Sequence, residues 1–170
     1  MAKNLTSTLI TKEDKVLNYR SDAKIQSPVT GEIYKLQIDR KFRKTKIMEL
    51  TSELLVKIQD AKQKGINMEA IFIPYVMLLI VKHFTSIGND MPADVTKQIG
   101  LLNKLIDLEL LNPILMSFED GEVESVYEAV TETLDKIEED AKALNDRLAA
   151  IEMQMEYDRI TSEGNEPEDE

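Results

Sequence analysis

The side chains able to do chemistry are few in this sequence, and their spacing suits a surface rather than a site. His83 is the one histidine among 170 residues, and there is no cysteine. A lone imidazole makes neither a histidine-based metal site nor a histidine dyad. Without thiols there is no disulfide framework, no Cys-ligated metal and no thiol chemistry. His83 follows the most apolar run of the chain and reads as the rim of a core helix. Glu138, Glu139 and Asp140 are adjacent, so on a helix they point around the axis and not at one another. Glu119, Asp120, Glu122 and Glu124 lack the twelve-residue spacing of a calcium loop. They read as acids enriched in a first helical turn, where the helix dipole favours them. No glycine-rich phosphate loop occurs. The expectation is a protein with no catalytic, cofactor-binding or metal-binding residue, and not an enzyme.

Arg40, Lys41, Arg43, Lys44 and Lys46 place five cations within seven residues. Such a cluster suits phosphates, an acidic segment of another copy, or simply the polar face of a helix. Phe42 is the one aromatic among them, so a base-stacking surface is not supported. The net charge of −11 is uneven. Residues 119–170 hold 19 acidic and 4 basic side chains, a balance of −15, and residues 1–118 hold 13 and 17, a balance of +4. A mildly basic body and an acidic arm can attract head-to-tail between copies, although a solvated helix surface is the commoner meaning. Nucleic acid is not an expected partner.

The elements that would position these side chains are mostly helical. Hydrophobic residues make up 42% of the chain and charged residues 31%, which suits a globular protein; aromatics are only 5%. The N-terminus lacks a continuous apolar segment and does not read as a signal peptide, so the cytoplasm is the expected compartment. Residues 1–14 read as irregular and 16–20 as a short strand. Ser27-Pro28-Val29-Thr30-Gly31 is a turn. Beyond it Tyr34, Leu36 and Ile38 alternate with polar residues as a half-buried strand, with 23–26 as its hairpin partner. Ile47, Leu50, Leu54, Ile58 and Ala61 share a helical face that ends at Gly65 as a C-terminal cap. Asn67 then caps the start of a core helix around residues 70–81, with Pro74 in its first turn or at a kink and Gly88-Asn89 at its end. Twelve apolar residues fall short of the roughly 20 that span a bilayer, so no membrane is expected. Pro92 opens a helix with Val95, Ile99, Leu102 and Ile106 inside, and Asn112-Pro113 breaks it.

The strongest pattern comes last. Val123, Tyr127, Val130, Leu134, Ile137, Ala141, Leu144, Leu148, Ile151 and Met155 recur in alternating steps of four and three. That is the period of a heptad seam, on a helix roughly 50 Å long. With Tyr127, Leu134, Ala141, Leu148 and Met155 at a, the d positions are Val123, Val130, Ile137, Leu144 and Ile151. A parallel dimer prefers β-branched residues at a and Leu at d, and this seam nearly reverses that. Its e and g flanks offer a parallel pair one clear opposite-charge contact, Arg147 with Glu152. The first half of the seam reads as an antiparallel seam inside a helical bundle. The half after Ala141 reads as an oligomer interface, carried by Leu144, Leu148, Ile151 and Met155. The expected organisation is a helical body over 1–121 with its β element, a heptad helix over 122–157 continuous with it, and an acidic disordered tail over 158–170. The fold class is mainly α, with a small N-terminal β-hairpin and a long C-terminal heptad helix.

This layout resembles the tail assembly chaperones of long-tailed bacteriophages. The resemblance rests on the strand over 33–40 running into Lys41-Phe42-Arg43-Lys44-Thr45-Lys46, the helices centred on 71–81, Leu108-Glu109-Leu110-Leu111-Asn112-Pro113, and the acidic C-terminal arm. It covers roughly residues 30–145. It implies a chaperone that keeps the apolar helical stripes of a tape measure protein covered until tail tube subunits assemble around it. It also implies homo-oligomers, no cofactor, and in many relatives a longer frameshifted form that recruits tube protein. The rival reading is a coiled-coil scaffold without a client. A third is an acidic mimic of DNA, for which the arm's charge is the sole support.

Overall fold

Pro28 and Gly31 reverse the chain between two antiparallel strands, β1 (Arg20–Gln26) and β2 (Ile33–Asp39). Their register runs from Arg20 opposite Asp39 to Gln26 opposite Ile33. Gly31 has φ +72° and its N–H donates to the Ser27 carbonyl at 2.8 Å, a left-handed position that suits glycine. The computed structural model of the chain describes residues 4–163, the side chains at 157, 158 and 160–163 excepted. One face of the hairpin buries Ile25, Leu36 and Ile38; Tyr34, expected inside, is exposed and donates its hydroxyl to the Glu32 carboxylate at 2.6 Å. A lone hairpin is marginal in water. This one is held by a bridge between Ile38 and Thr85 and by the Gln37 N–H on Ser86 Oγ.

Two N-terminal expectations are corrected. Residues 7–14 are not irregular but form α1 (Ser7–Asp14), capped by Thr6 Oγ1 on the Leu9 N–H. None of its side chains is buried, so no apolar period announced it. Residues 16–19 are not strand: a 3-10 turn occupies Lys15–Asn18, with Val16, Leu17 and Tyr19 exposed.

The core is built on α2 (Lys44–Gln63) and α3 (Phe72–Phe84). Leu50, Leu54 and Ala61 of α2 are fully buried, as their spacing predicts. Its end is a Schellman motif: the Ile66 N–H reaches the Ala61 carbonyl and Gly65 sits at φ +69°. Asn67 Oδ1 accepts the Glu69 N–H, capping a 3-10 turn that leads into α3. Helix α3 is buried on nearly every side, with Tyr75, Val76, Leu78, Leu79, Ile80, Val81 and Phe84 all inaccessible. Pro74 lies in its first turn, where a missing N–H is harmless. The helix stops at Phe84, earlier than Gly88-Asn89, and a 3-10 turn (Ser86–Asp90) follows.

Helix α4 (Val95–Asp107) starts after Pro92, capped by Asp94, whose Oδ1 accepts the Lys97 N–H at 3.0 Å. Its inner face is Val95, Gln98, Leu102 and Leu105, while Ile106 is exposed. Gln98 is fully buried because its amide is satisfied at both ends: Oε1 accepts the Tyr75 hydroxyl and Nε2 donates to the Pro92 carbonyl at 2.8 Å. Pro113 does not break the chain outright; it sits inside the short α5 (Leu111–Leu115). Helix α6 spans Glu122–Glu163. The fold is therefore mainly α, with an N-terminal hairpin and a long C-terminal helix. Two compact units divide between Ala129 and Val130. The first holds the hairpin, α1–α5 and the start of α6, and the second is the rest of α6. Of the tail expected over 158–170, residues 158–163 continue α6 and residues 164–170 lie outside the described residues.

Candidate functional site

The basic cluster that sequence left open is an internal clamp within the first unit. Arg40 Nε donates to Glu119 Oε1 at 2.8 Å, and Lys41 Nζ lies between Glu119 and Glu122 at 2.9 and 2.8 Å. The Phe42 N–H donates to Glu122 Oε2 at 2.7 Å. Hydrogen bonds from Lys41 and then Arg40 hold the Glu119 carboxyl below its ordinary range, and donating to Glu122 and then Glu119 raises Lys41. Glu122 opens α6, so the cluster fixes where that helix begins. Phe42 reinforces the clamp: its ring stacks on Phe84 at 3.6 Å between centroids and meets Phe118 edge-on at 4.9 Å. Arg43 binds Asp14 and Asn18, tying down α1, and Lys46 spans Asp39 and the His83 carbonyl. The acids at 119–124 are thus a docking end of α6, and Phe42 is a core side chain.

His83 also has a structural place. Its Nε2 lies 2.9 Å from Glu53 Oε2, and Lys82 Nζ binds the other oxygen of the same carboxylate. Burial pushes the Glu53 carboxyl up, but hydrogen bonds from His83 and Lys82 outweigh it and leave the group at about 2. Lys82 and His83 are thus both engaged with the one carboxylate of Glu53. Among the described residues no three His, Asp or Glu side chains gather as metal ligands, and no helix is long and apolar enough to cross a membrane.

The start of α6 departs from a narrow seam. Val126, placed at a flanking g position by the heptad, is fully buried, while Val123 and Tyr127 are half-buried. This wide stripe is how a helix beds into a globular body, where three positions per heptad face inward. The signal was available in sequence as the added Val126. Burial raises the Tyr127 hydroxyl pKa, and the oxygen has no hydrogen-bond partner among the described residues.

The rest of the seam is bare. Every residue from 135 to 156 is exposed. Leu144 is 57% exposed, Leu148 50%, Ile151 55% and Met155 66%, with Ile137 at 44%. Their steps of four, three and four place them on one side of the helix. Helix propensity alone gives marginal stability in water, and packing of an apolar face is the usual source of the remainder. What the arrangement offers chemically is therefore a linear apolar strip on an acidic rod. A second apolar feature belongs to the first unit: a groove of about 230 Å³ lined by Ile25, Leu36, Ile87, Leu105, Leu110 and Ile114.

A sequence profile of the YomO family matches residues 8–166, which includes the hairpin, the body and the seam. No curated protein and no solved structure matches the chain.

Proposed function

The chain belongs to the YomO family, a phage-derived family, and on that premise we propose that it is a non-enzymatic phage tail assembly chaperone. In this reading it self-associates through Leu144, Leu148, Ile151 and Met155 in the host cytoplasm. It keeps the apolar helical stripes of a tape measure protein covered until tail tube subunits displace it. The observation that carries the reading is the bare seam over 137–155, an apolar strip that stays exposed among the described residues. The groove beside β2 and α4 supports it further, since it would receive single apolar side chains of a helical client. Exposed Met48 and Met153 add adaptable apolar surface. Neither nucleic acid nor membrane is a partner in this account.

Co-expression with the tape measure protein of the same phage tests it. The rod protein becomes more soluble and co-purifies with this chain. A tape measure protein equally soluble alone, with no co-purification, refutes the client. The second reading, a coiled-coil scaffold, is favoured by one observation. The strict alternation of steps along the bare seam suits a fixed helical partner better than varied clients. It predicts oligomers without client binding.

A further inference from the structure

We propose that the bare seam of α6 is the interface of a parallel, in-register tetramer of this chain. The proposal rests on the seam being an interaction surface and adds its occupant, orientation and number.

The number comes from the layers. Within the bare seam the a positions are Ala141, Leu148 and Met155 and the d positions are Ile137, Leu144 and Ile151, so the turn of Leu148 and Ile151 sets Leu at a beside Ile at d. Leu at a with Ile at d shifts parallel coiled coils from two strands toward trimers and tetramers; of these, the proposal commits to four. The orientation comes from the flanks of the bare strip, where Glu138, Asp140, Asn145, Arg147 and Glu152 are all exposed and Thr133 just before it is half-buried. In a parallel pair each g side chain reaches the e side chain of the next heptad on the neighbouring copy. Arg147 then meets Glu152, Asp140 meets Asn145 and Thr133 meets Glu138, so no like charges are brought together. Reversing one helix with the seam fully overlapped sets Ile137 opposite Met155 and turns e toward e and g toward g. Glu138 then faces Glu152, and Arg147 faces Arg147 of the other copy. The parallel arrangement exchanges these repulsions for an attraction repeated around the ring. It also starts all the helices at one end, which gathers the preceding units into one assembly and makes a weak client contact multivalent.

The chain has no cysteine, so orientation is directly readable from introduced ones. Full-length Met155→Cys, mildly oxidised, forms covalent dimers, because position 155 meets itself in a parallel bundle. Oxidised mixtures of Ile137→Cys and Met155→Cys chains give no mixed product. Light scattering of the unmodified chain reports four times its 19.4 kDa mass. Arg147→Glu weakens assembly about tenfold, and adding Glu152→Arg restores it. Any other mass, or cross-links found between positions 137 and 155 instead of at 155 alone, overturns the proposal. A parallel tetramer that fails to retain the tape measure protein removes the client reading and leaves this one intact; a monomer that retains it does the reverse.

Discussion

Gly88 carries the tightest steric requirement among the described glycines. A Cβ there would lie 1.8 Å from the Lys82 carbonyl oxygen, a backbone atom that cannot step aside. Gly88→Ala therefore destabilises the fold by about 1–3 kcal/mol, read as a drop in the denaturation midpoint, and an unchanged midpoint contradicts the close approach. Tyr127→Phe moves the other way. It removes a buried hydroxyl with no hydrogen-bond partner among the described residues, so stability holds or rises by up to about 1 kcal/mol. Glu53 sets the acid limit. Its folded carboxyl titrates at about 2 against 4.5 for the free side chain. Its contribution is therefore complete above pH 4.5 and is lost as pH falls through 2. The loss is about 3 kcal/mol, and urea melts across that window measure it; Glu53→Gln flattens the dependence. Sequence made His83 legible as a rim residue but not its carboxylate partner, because Glu53 lies 30 residues earlier on another helix.

At the scale of elements, the ends of helices show what a sequence can and cannot announce. Gly65 closes α2 and Glu109 closes α4 by the same pattern, in which the second residue past the helix reaches back to its last turn. Gly65 is legible as a cap, but Glu109 adopts φ +53° with a side chain that gives no hint of it. The inner face of α4 was misread at Ile106 because a buried Gln98 looks polar until its two hydrogen-bond partners are known. Helix α1 has no apolar face at all, so periodicity could not find it. The basic residues were visible as a cluster, yet the acidic partners of Arg40 and Lys41 lie 79 and 81 residues away. Glu122→Ala tests the clamp they form. It strips the Phe42 N–H of its acceptor and destabilises the first unit by about 1–3 kcal/mol in chemical denaturation. A neutral result means that the aromatic trio alone seats the start of α6.

At the scale of the whole molecule, charge and apolar surface give different accounts of association. The acidic arm and basic body suggested head-to-tail attraction, but Arg40 and Lys41 are already engaged by Glu119 and Glu122 of the same chain. Association by the seam is chiefly apolar, so raising salt from about 0.1 M to about 0.5 M leaves the oligomer assembled; a charge-driven complex falls apart. The seam was legible because it is long and strictly periodic. Its division into a wide stripe around Val126 and a bare strip from Ile137 was only half legible, since a heptad pattern does not say which of its turns are already packed.

Sedimentation of the full-length chain beside Leu148→Asp tests the central claim most directly. The account predicts an oligomer for the natural sequence at micromolar concentration, and a monomer for the variant with the thermal unfolding of its body unchanged. A natural chain that sediments as a 19.4 kDa monomer at high micromolar concentration contradicts it.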